Sequence, residues 1–175
     1  MKVIDTDRLV LRTFVVEDAE FLLRLLNEPS FLRFIGDRGV RSIDDAREYI
    51  LNGPIESFDR HGFSLYVTEL SGDGIPIGIC GLLKRETLDD VDIGFAFLPE
   101  FWGKGYAYES ASAVMRHART ELGLCRVVAI TAPDNHASKR VLEKIGMKFE
   151  GTIRLTDDGE DIELFAHEGL AKVNA

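Results

Sequence analysis

A strand that turns through glycines directly into a helix offers the clearest chemistry in this sequence. The stretch Phe97-Leu98-Pro99-Glu100-Phe101-Trp102-Gly103-Lys104-Gly105-Tyr106-Ala107 has that form. The first N–H groups of a helix lack intrahelical partners, and the helix dipole adds partial positive charge, so such a junction suits a phosphate group. Glycines at 103 and 105 let the main chain wrap an anion with no Cβ in the way. Two other phosphate motifs fail on the residues present. A dinucleotide fingerprint requires glycine where Tyr108 stands, and no Gly-Lys-Ser or Gly-Lys-Thr ends the loop as a Walker A motif would.

The elements around this loop follow from hydrophobic period. Asp92 to Leu98 is a strand ended by Pro99, and Ala107 to Glu121 carries Ala111, Val114, Met115 and Ala118 inward on a helix. Upstream, Arg8 to Phe14 alternates as a strand, and Glu17 to Asn27 is an amphipathic helix ending before Pro29. Ser42 with Asp45 forms a capping box for a helix running toward Asn52-Gly53-Pro54, with a short continuation through Phe58. Phe63 to Glu69 and Ile75 to Lys84 form a hairpin around Ser71-Gly72-Asp73-Gly74. Beyond the loop come a strand at Arg126 to Thr131, a helix from Asn135 to Lys144 stopped at Gly146, and a hairpin of Phe149 to Leu155 with Asp161 to Ala166. This order gives a mixed α/β sheet of seven strands and excludes a doubly wound one.

The 175 residues, 45% hydrophobic and 29% charged, suit one globular domain, residues 1–175, able to bury a core without disulfides or a structural metal. No apolar run approaches the ~18 residues of a membrane span, and residues 1–8 lack a signal-peptide core, so a cytoplasmic protein with no membrane partner is expected. Cys80 and Cys125 lie in no metal or redox motif and read as reduced core residues. A net charge of −9 argues against a nucleic-acid partner. The charge is uneven. Residues 102–148 carry eight Lys and Arg against four Asp and Glu, which suggests an anion bound there, while the rest of the chain is strongly acidic.

The stretch Asp92-Ile93-Gly94-Phe95-Ala96-Phe97-Leu98-Pro99-Glu100-Phe101-Trp102-Gly103-Lys104-Gly105-Tyr106-Ala107-Tyr108-Glu109 resembles the acetyl-CoA signature of GNAT N-acetyltransferases, in particular the RimJ/RimL-like branch. Thr6-Asp7-Arg8-Leu9-Val10-Leu11-Arg12 and Glu17-Asp18-Ala19 are similar to that branch's first strand and helix, and Pro133 through Met147 to its second cofactor segment. The resemblance spans residues 6–168. It implies a central, mostly antiparallel sheet flanked by helices and splayed between its fourth and fifth strands, with pantetheine lying in the gap. It implies pairing of pantetheine with the main chain of Ala96, Phe97 and Leu98, and a pyrophosphate held by the amides of Gly103, Lys104, Gly105, Tyr106 and Ala107. Asn135 takes the place of the side chain that contacts the pantetheine arm, although it would also serve as a helix N-cap. Ser138 lies where the branch has a hydroxyl near the thioester sulfur, and Lys139 and Arg140 are set to face the adenosine phosphates. The branch often has an aromatic at the position of Trp102, which is expected to pack against the helix.

The activity so implied is transfer of the acetyl group of acetyl-CoA to a primary amine by direct attack, with no metal and no covalent enzyme intermediate. The acceptor would be a protein N-terminal α-amino group or a small amine, and the acidic remainder of the chain would suit a cationic one. A homodimer is left open, as is an acetyl-CoA-binding module without turnover. Ser138 is the candidate proton donor to the leaving thiolate, and Asp92 and Asp161 are both candidates for the base. His61, His117, His136 and His167 read as structural or surface residues.

Overall fold

The computed structural model describes residues 1–168. Its frame is an eight-stranded sheet in the order β1-β2-β3-β4-β5-β6-β8-β7. The first three strands are β1 (Lys2–Asp5), β2 (Leu9–Arg12) and β3 (Leu65–Leu70). They continue into β4 (Pro76–Leu83) and β5 (Asp92–Phe97), every neighbour antiparallel. Then β6 (Arg126–Thr131) lies parallel to β5, and β8 (Ile162–Glu168) pairs between β6 and β7 (Lys148–Ile153). The strand β1 was not legible as such, and it raises the count from seven to eight. The gap expected between the fourth and fifth strands therefore falls between β5 and β6.

Burial divides the helices between the two faces. On one side α5 (Tyr106–Thr120) lays Ala111, Val114, Met115 and Ala118 against Cys80, Leu82, Ile93 and Phe97. The same cluster takes in Leu142 of α6 (His136–Lys144). On the other side α1 (Ala19–Leu26) and α3 (Ile43–Ile50) bury Leu22, Leu25, Leu26 and Ile50 with Val67 and Ile79. Arg12 ties these layers, donating to Asp18 before α1 at 2.7 Å and to Glu69 on β3 at 2.6 Å.

Several local expectations correspond to what is seen, and others need correction. Ser42 and Asp45 make the capping box at α3. The helix then passes through a π-type turn, Leu51–Ile55, into α4 (Glu56–His61), because Pro54 has no N–H to continue the α-helical ladder. Pro29 does more than end α1: it occupies the first turn of α2 (Pro29–Phe34), where its missing N–H costs nothing. Cys80 is buried, but Cys125 is exposed. It stands in the Gly123-Leu124-Cys125 connection, where Leu124 takes the place against the core. No helix among the described residues is long and apolar enough to cross a membrane.

Two glycines set the approach of the central strands. A Cβ at Gly81 would lie 2.1 Å from the Ser64 carbonyl oxygen, and one at Gly78 would lie 2.4 Å from the Phe97 ring. At Gly81 the obstacle is main chain, which cannot swing aside. Gly81→Ala should therefore cost about 3 kcal/mol, the upper range for overpacking, and lower Tm by roughly 10 °C. A thermal melt unchanged from the wild type would contradict this account of the β3–β4 contact.

Candidate active site

The site begins where β5 leaves the sheet. A single bridge, Asp92 with Val128, joins β5 to β6, with the Val128 N–H donating to Val91 at 3.0 Å, and the strands then part. On the other side β5 stays paired with β4 through Phe97. Antiparallel strands send the hydrogen-bonding groups of successive residues to opposite sides. The Leu98 N–H donates to Ile77 at 2.9 Å, so Leu98 and Ala96 use their main-chain groups on β4, while Phe95 and Phe97 turn theirs toward the gap. This corrects the expected edge of Ala96, Phe97 and Leu98: the bared residues are Phe95 and Phe97. One of their groups is already engaged, since the Trp102 indole N–H donates to the Phe97 carbonyl at 2.7 Å. Trp102 is thus a bridge across the loop and is 53% exposed, where packing against the helix was expected.

The glycine loop follows. Gly103 and Gly105 have φ of 71° and 83°, in the left-handed region that disfavours side chains, and Gly105 caps α5. The first main-chain bond into α5 is from the Glu109 N–H to the Gly105 carbonyl at 3.0 Å. Among the described residues, the amides from Gly103 to Tyr108 have no protein partner ahead of it. This is the donor-rich, positively polarised turn that an anionic group would satisfy.

A network that sequence reading did not anticipate holds the loop open. Glu109, on the first turn of α5, accepts from the Thr6 hydroxyl at 2.7 Å, the Arg8 N–H at 3.0 Å and Arg8 Nε at 2.7 Å. Arg8 also donates to the Lys104 carbonyl at 2.9 Å and lies 4.7 Å over the Tyr106 ring. Burial raises the Glu109 carboxyl pKa, but the bonds from Thr6 and Arg8 outweigh it and hold the group below the usual carboxylate range. Thr6 and Arg8 lie in a stretch whose alternation was legible. Their partner, 101 residues or more away, was not.

Two cavities meet at this junction. The larger, about 610 Å³, runs along the loop and the start of α6. Its wall includes Ala96, Phe97, Gly103, Gly105, Tyr106, Ala107, Asn135, Ser138 and Arg140 from the sequence-derived set. His136, a structural or surface residue on sequence grounds, lines it too. Leu98 and Lys104 do not line it. Leu98 is buried, and the Lys104 ammonium sits 5.3 Å from the centre of the Phe101 ring. Asn135 caps α6, its side chain accepting from the Ser138 N–H at 3.2 Å, and so fixes the first turn that carries Ser138. Lys139, expected at the adenosine phosphates, donates instead to the Pro133 carbonyl at 2.7 Å and pairs with Glu163. Aromatic residues of α2, Phe31 and Phe34, line both cavities, and Arg33 ties α2 to Asp134 at 2.9 Å.

The smaller cavity, about 280 Å³, lies under the β5–β6 gap and shares Phe95, Ala96, Asn135 and Ser138 with the larger. Asp92 lines it, 1% exposed, with Arg85 Nε 3.0 and 3.1 Å from its two oxygens. Burial raises the Asp92 pKa above the ordinary carboxylate value, against the lowering effect of Arg85. Asp161 lines neither cavity and pairs on the surface with Arg154. Among the described residues no cluster of His, Cys, Asp and Glu is placed to hold a metal.

The clamp makes a pH-dependent prediction. A carboxyl held below its unfolded pKa stabilises the fold above that pKa, and the contribution disappears as pH falls through the folded value. Glu109→Gln should therefore cost on the order of 2 kcal/mol at neutral pH, or roughly 5 °C in Tm, with the deficit shrinking once the wild-type carboxyl is protonated. A deficit of equal size at neutral and strongly acidic pH would contradict the assignment.

Comparison with known proteins agrees with this geometry. The profile of the family described as "Acetyltransferase (GNAT) domain" matches residues 8–148. The chain is 33% identical to the uncharacterised protein YkkB of Bacillus subtilis, across 85% of this chain and 87% of that one. It is 31% identical to the uncharacterised N-acetyltransferase YoaA of the same organism, across 87% and 86%. Its fold superposes on RimL, a ribosomal L7/L12 α-N-protein acetyltransferase solved with coenzyme A, at TM-score 0.82 and 21% identity, covering 95% of this chain and 97% of that one. With its splayed sheet, its open amide turn and its family profile in agreement, the chain belongs to the GNAT acetyltransferases.

Proposed function

We propose that this protein transfers the acetyl group of acetyl-CoA to a primary amine within a ternary complex. The observation that carries the proposal is the run of unpartnered amides from Gly103 to Tyr108 beside the bared edge of β5. The two features lie on the wall of one cavity of about 610 Å³, the amide turn for a diphosphate and the strand edge for an amide-bearing arm.

In this reading the amides of Gly103 to Ala107 bind the pyrophosphate, and Arg140 on α6 faces the phosphates beyond it. The groups of Phe95 and Phe97 that face the gap pair with the pantetheine arm. Acetyl-CoA supplies the acyl group as an activated thioester. Acceptor and thioester meet at Ala96 and Ser138, where the cavities join. A gap-facing N–H of β5 is placed to stabilise developing negative charge on the carbonyl oxygen, and the Ser138 hydroxyl to pass a proton to the departing sulfur.

The incoming amine must lose a proton, and Asp92 is the carboxylate on the acceptor cavity. It lies four residues before Ala96, about 13 Å along an extended strand, so the proton reaches it through water held in the cavity beside the acceptor. Its raised pKa makes it a better base near neutrality than an ordinary surface acid. Asp161, tied to Arg154 outside both cavities, is the weaker candidate. A protein N-terminal α-amino group is the acceptor precedent set by RimL, and a small amine satisfies the same chemistry. A cytoplasmic location, where acetyl-CoA is supplied, belongs to this reading.

Thermal melts with acetyl-CoA or CoA at about 100 times Kd should show a stabilisation of about 2.7 kcal/mol, which ATP and NAD do not give. Gly105→Glu, which puts an anion into the amide turn, should abolish that shift. No shift with acetyl-CoA would overturn the proposal. Acceptor-dependent thiol release separates an enzyme from a binding module. Its pH–rate profile should carry an acidic limb above the ordinary carboxylate range, lost in Asp92→Asn and kept in Asp161→Asn.

A further inference from the structure

The smaller cavity says more about the acceptor than the overall charge of the chain does. The acidic composition favours a cationic substrate, yet among the described residues the cavity under the β5–β6 gap is lined by two arginines, Arg38 and Arg85, and one carboxylate, Asp92. Among the described residues Tyr49 is the only other titratable side chain on its wall. Most of the remaining wall is apolar, including Leu65, Leu83, Leu155 and Ile162.

The hydrogen bonds sharpen this asymmetry. Arg85 binds both oxygens of Asp92 through Nε alone. Among the described residues its two terminal nitrogens have no partner, which leaves the planar end of the guanidinium open to a second anion. Arg38 has no ion-pair partner among the described residues either. Thr131 is an independent third observation. It is 7% exposed, lies on the same wall, and its buried hydroxyl has no hydrogen-bond partner. Buried polar groups are rarely left so, and one beside a cavity gains its partner when a polar ligand or its water enters.

Position then fixes the shape of the ligand. Arg85 is held at Asp92, at the start of β5, whereas the two cavities join at Ala96 and Ser138, about 13 Å further along an extended strand. The charge of Arg85 lies at one end and the acetyl-transfer point at the other, with mostly apolar wall between, and Arg38 adds a second cation to the same wall. A polyamine would bring a second ammonium to the arginines and be repelled.

Resting on the acetyl-transfer reading above, we propose that the acceptor is a small amine carrying a carboxylate at the far end of an apolar spacer, the carboxylate bound by Arg38 and Arg85. The reaction forms the N–C bond, breaks the C–S bond and moves the amine proton to the CoA sulfur. The anionic end is a handle and is unchanged.

Three probes that differ only at the distal end test this: ε-aminocaproate, its primary amide and hexamethylenediamine. With acetyl-CoA and detection of free thiol, kcat/KM should fall in that order, with about a tenfold preference for the acid over the amide, as expected for one charged hydrogen-bonded contact. Arg38→Gln should raise KM for the acid and compress the acid-to-amide ratio toward one, and Arg85→Gln should do the same. Equal rates for acid and amide, faster turnover of the diamine, or faster turnover of a neutral N-terminal peptide amide than of the acid would each overturn the inference. So would failure to acetylate any probe while acetyl-CoA still raises Tm. Loss of that thermal shift would instead overturn the parent reading.

Discussion

Six consecutive main-chain amides, Gly103 to Tyr108, that find no partner among the described residues are the constraint around which this molecule is arranged. Unpaired N–H groups are costly when buried, so the chain must keep them open to a cleft and hold them in a shape that an anion can fill. Left-handed glycines at 103 and 105 create the shape. The Thr6–Arg8–Glu109 network holds it, joining the first strands of the sheet to the first turn of α5. Arg8 reaches the loop twice, through the Lys104 carbonyl and the face of Tyr106, so that the turn is braced from the side away from the cleft.

The parting of β5 from β6 is the second half of the same device. A parallel pair that stops after one bridge leaves a strand edge with donors and acceptors to offer, and such an edge is a liability unless something covers it. Here α2 and α6 cover it from both sides, and the space that remains is two cavities meeting at Ala96 and Ser138. A carrier in one cavity and an acceptor in the other would meet there without any group crossing the sheet.

Much of this was legible in the residues, and the exceptions have physical causes. The strand, glycine turn and helix from Asp92 to Thr120 announce themselves because period, breaker and capping signals all act within a few residues. The capping roles of Ser42 and Asn135 are local in the same way. Pairing parity was not legible: whether Ala96 or Phe95 faces the gap depends on the register with β4, which the β5 sequence does not contain. The Arg8–Glu109 contact spans 101 residues, and no pattern of period or charge connects its ends. Lys139 and Arg140 are adjacent cations that look alike in sequence, and the helix sends one to Glu163 and the other to the cleft. Pro29 was legible as a boundary, but a proline that ends one helix also suits the first turn of the next.

The open amides can be observed directly. Hydrogen exchange of the main-chain N–H groups of residues 103–108, followed by NMR, should slow by about tenfold or more when CoA is added, because the diphosphate takes the place of water as their partner. Pantetheine, which has the arm but no diphosphate, should leave those rates unchanged. Equal protection by CoA and pantetheine, or no protection by either, would contradict the claim that this turn exists to hold a diphosphate.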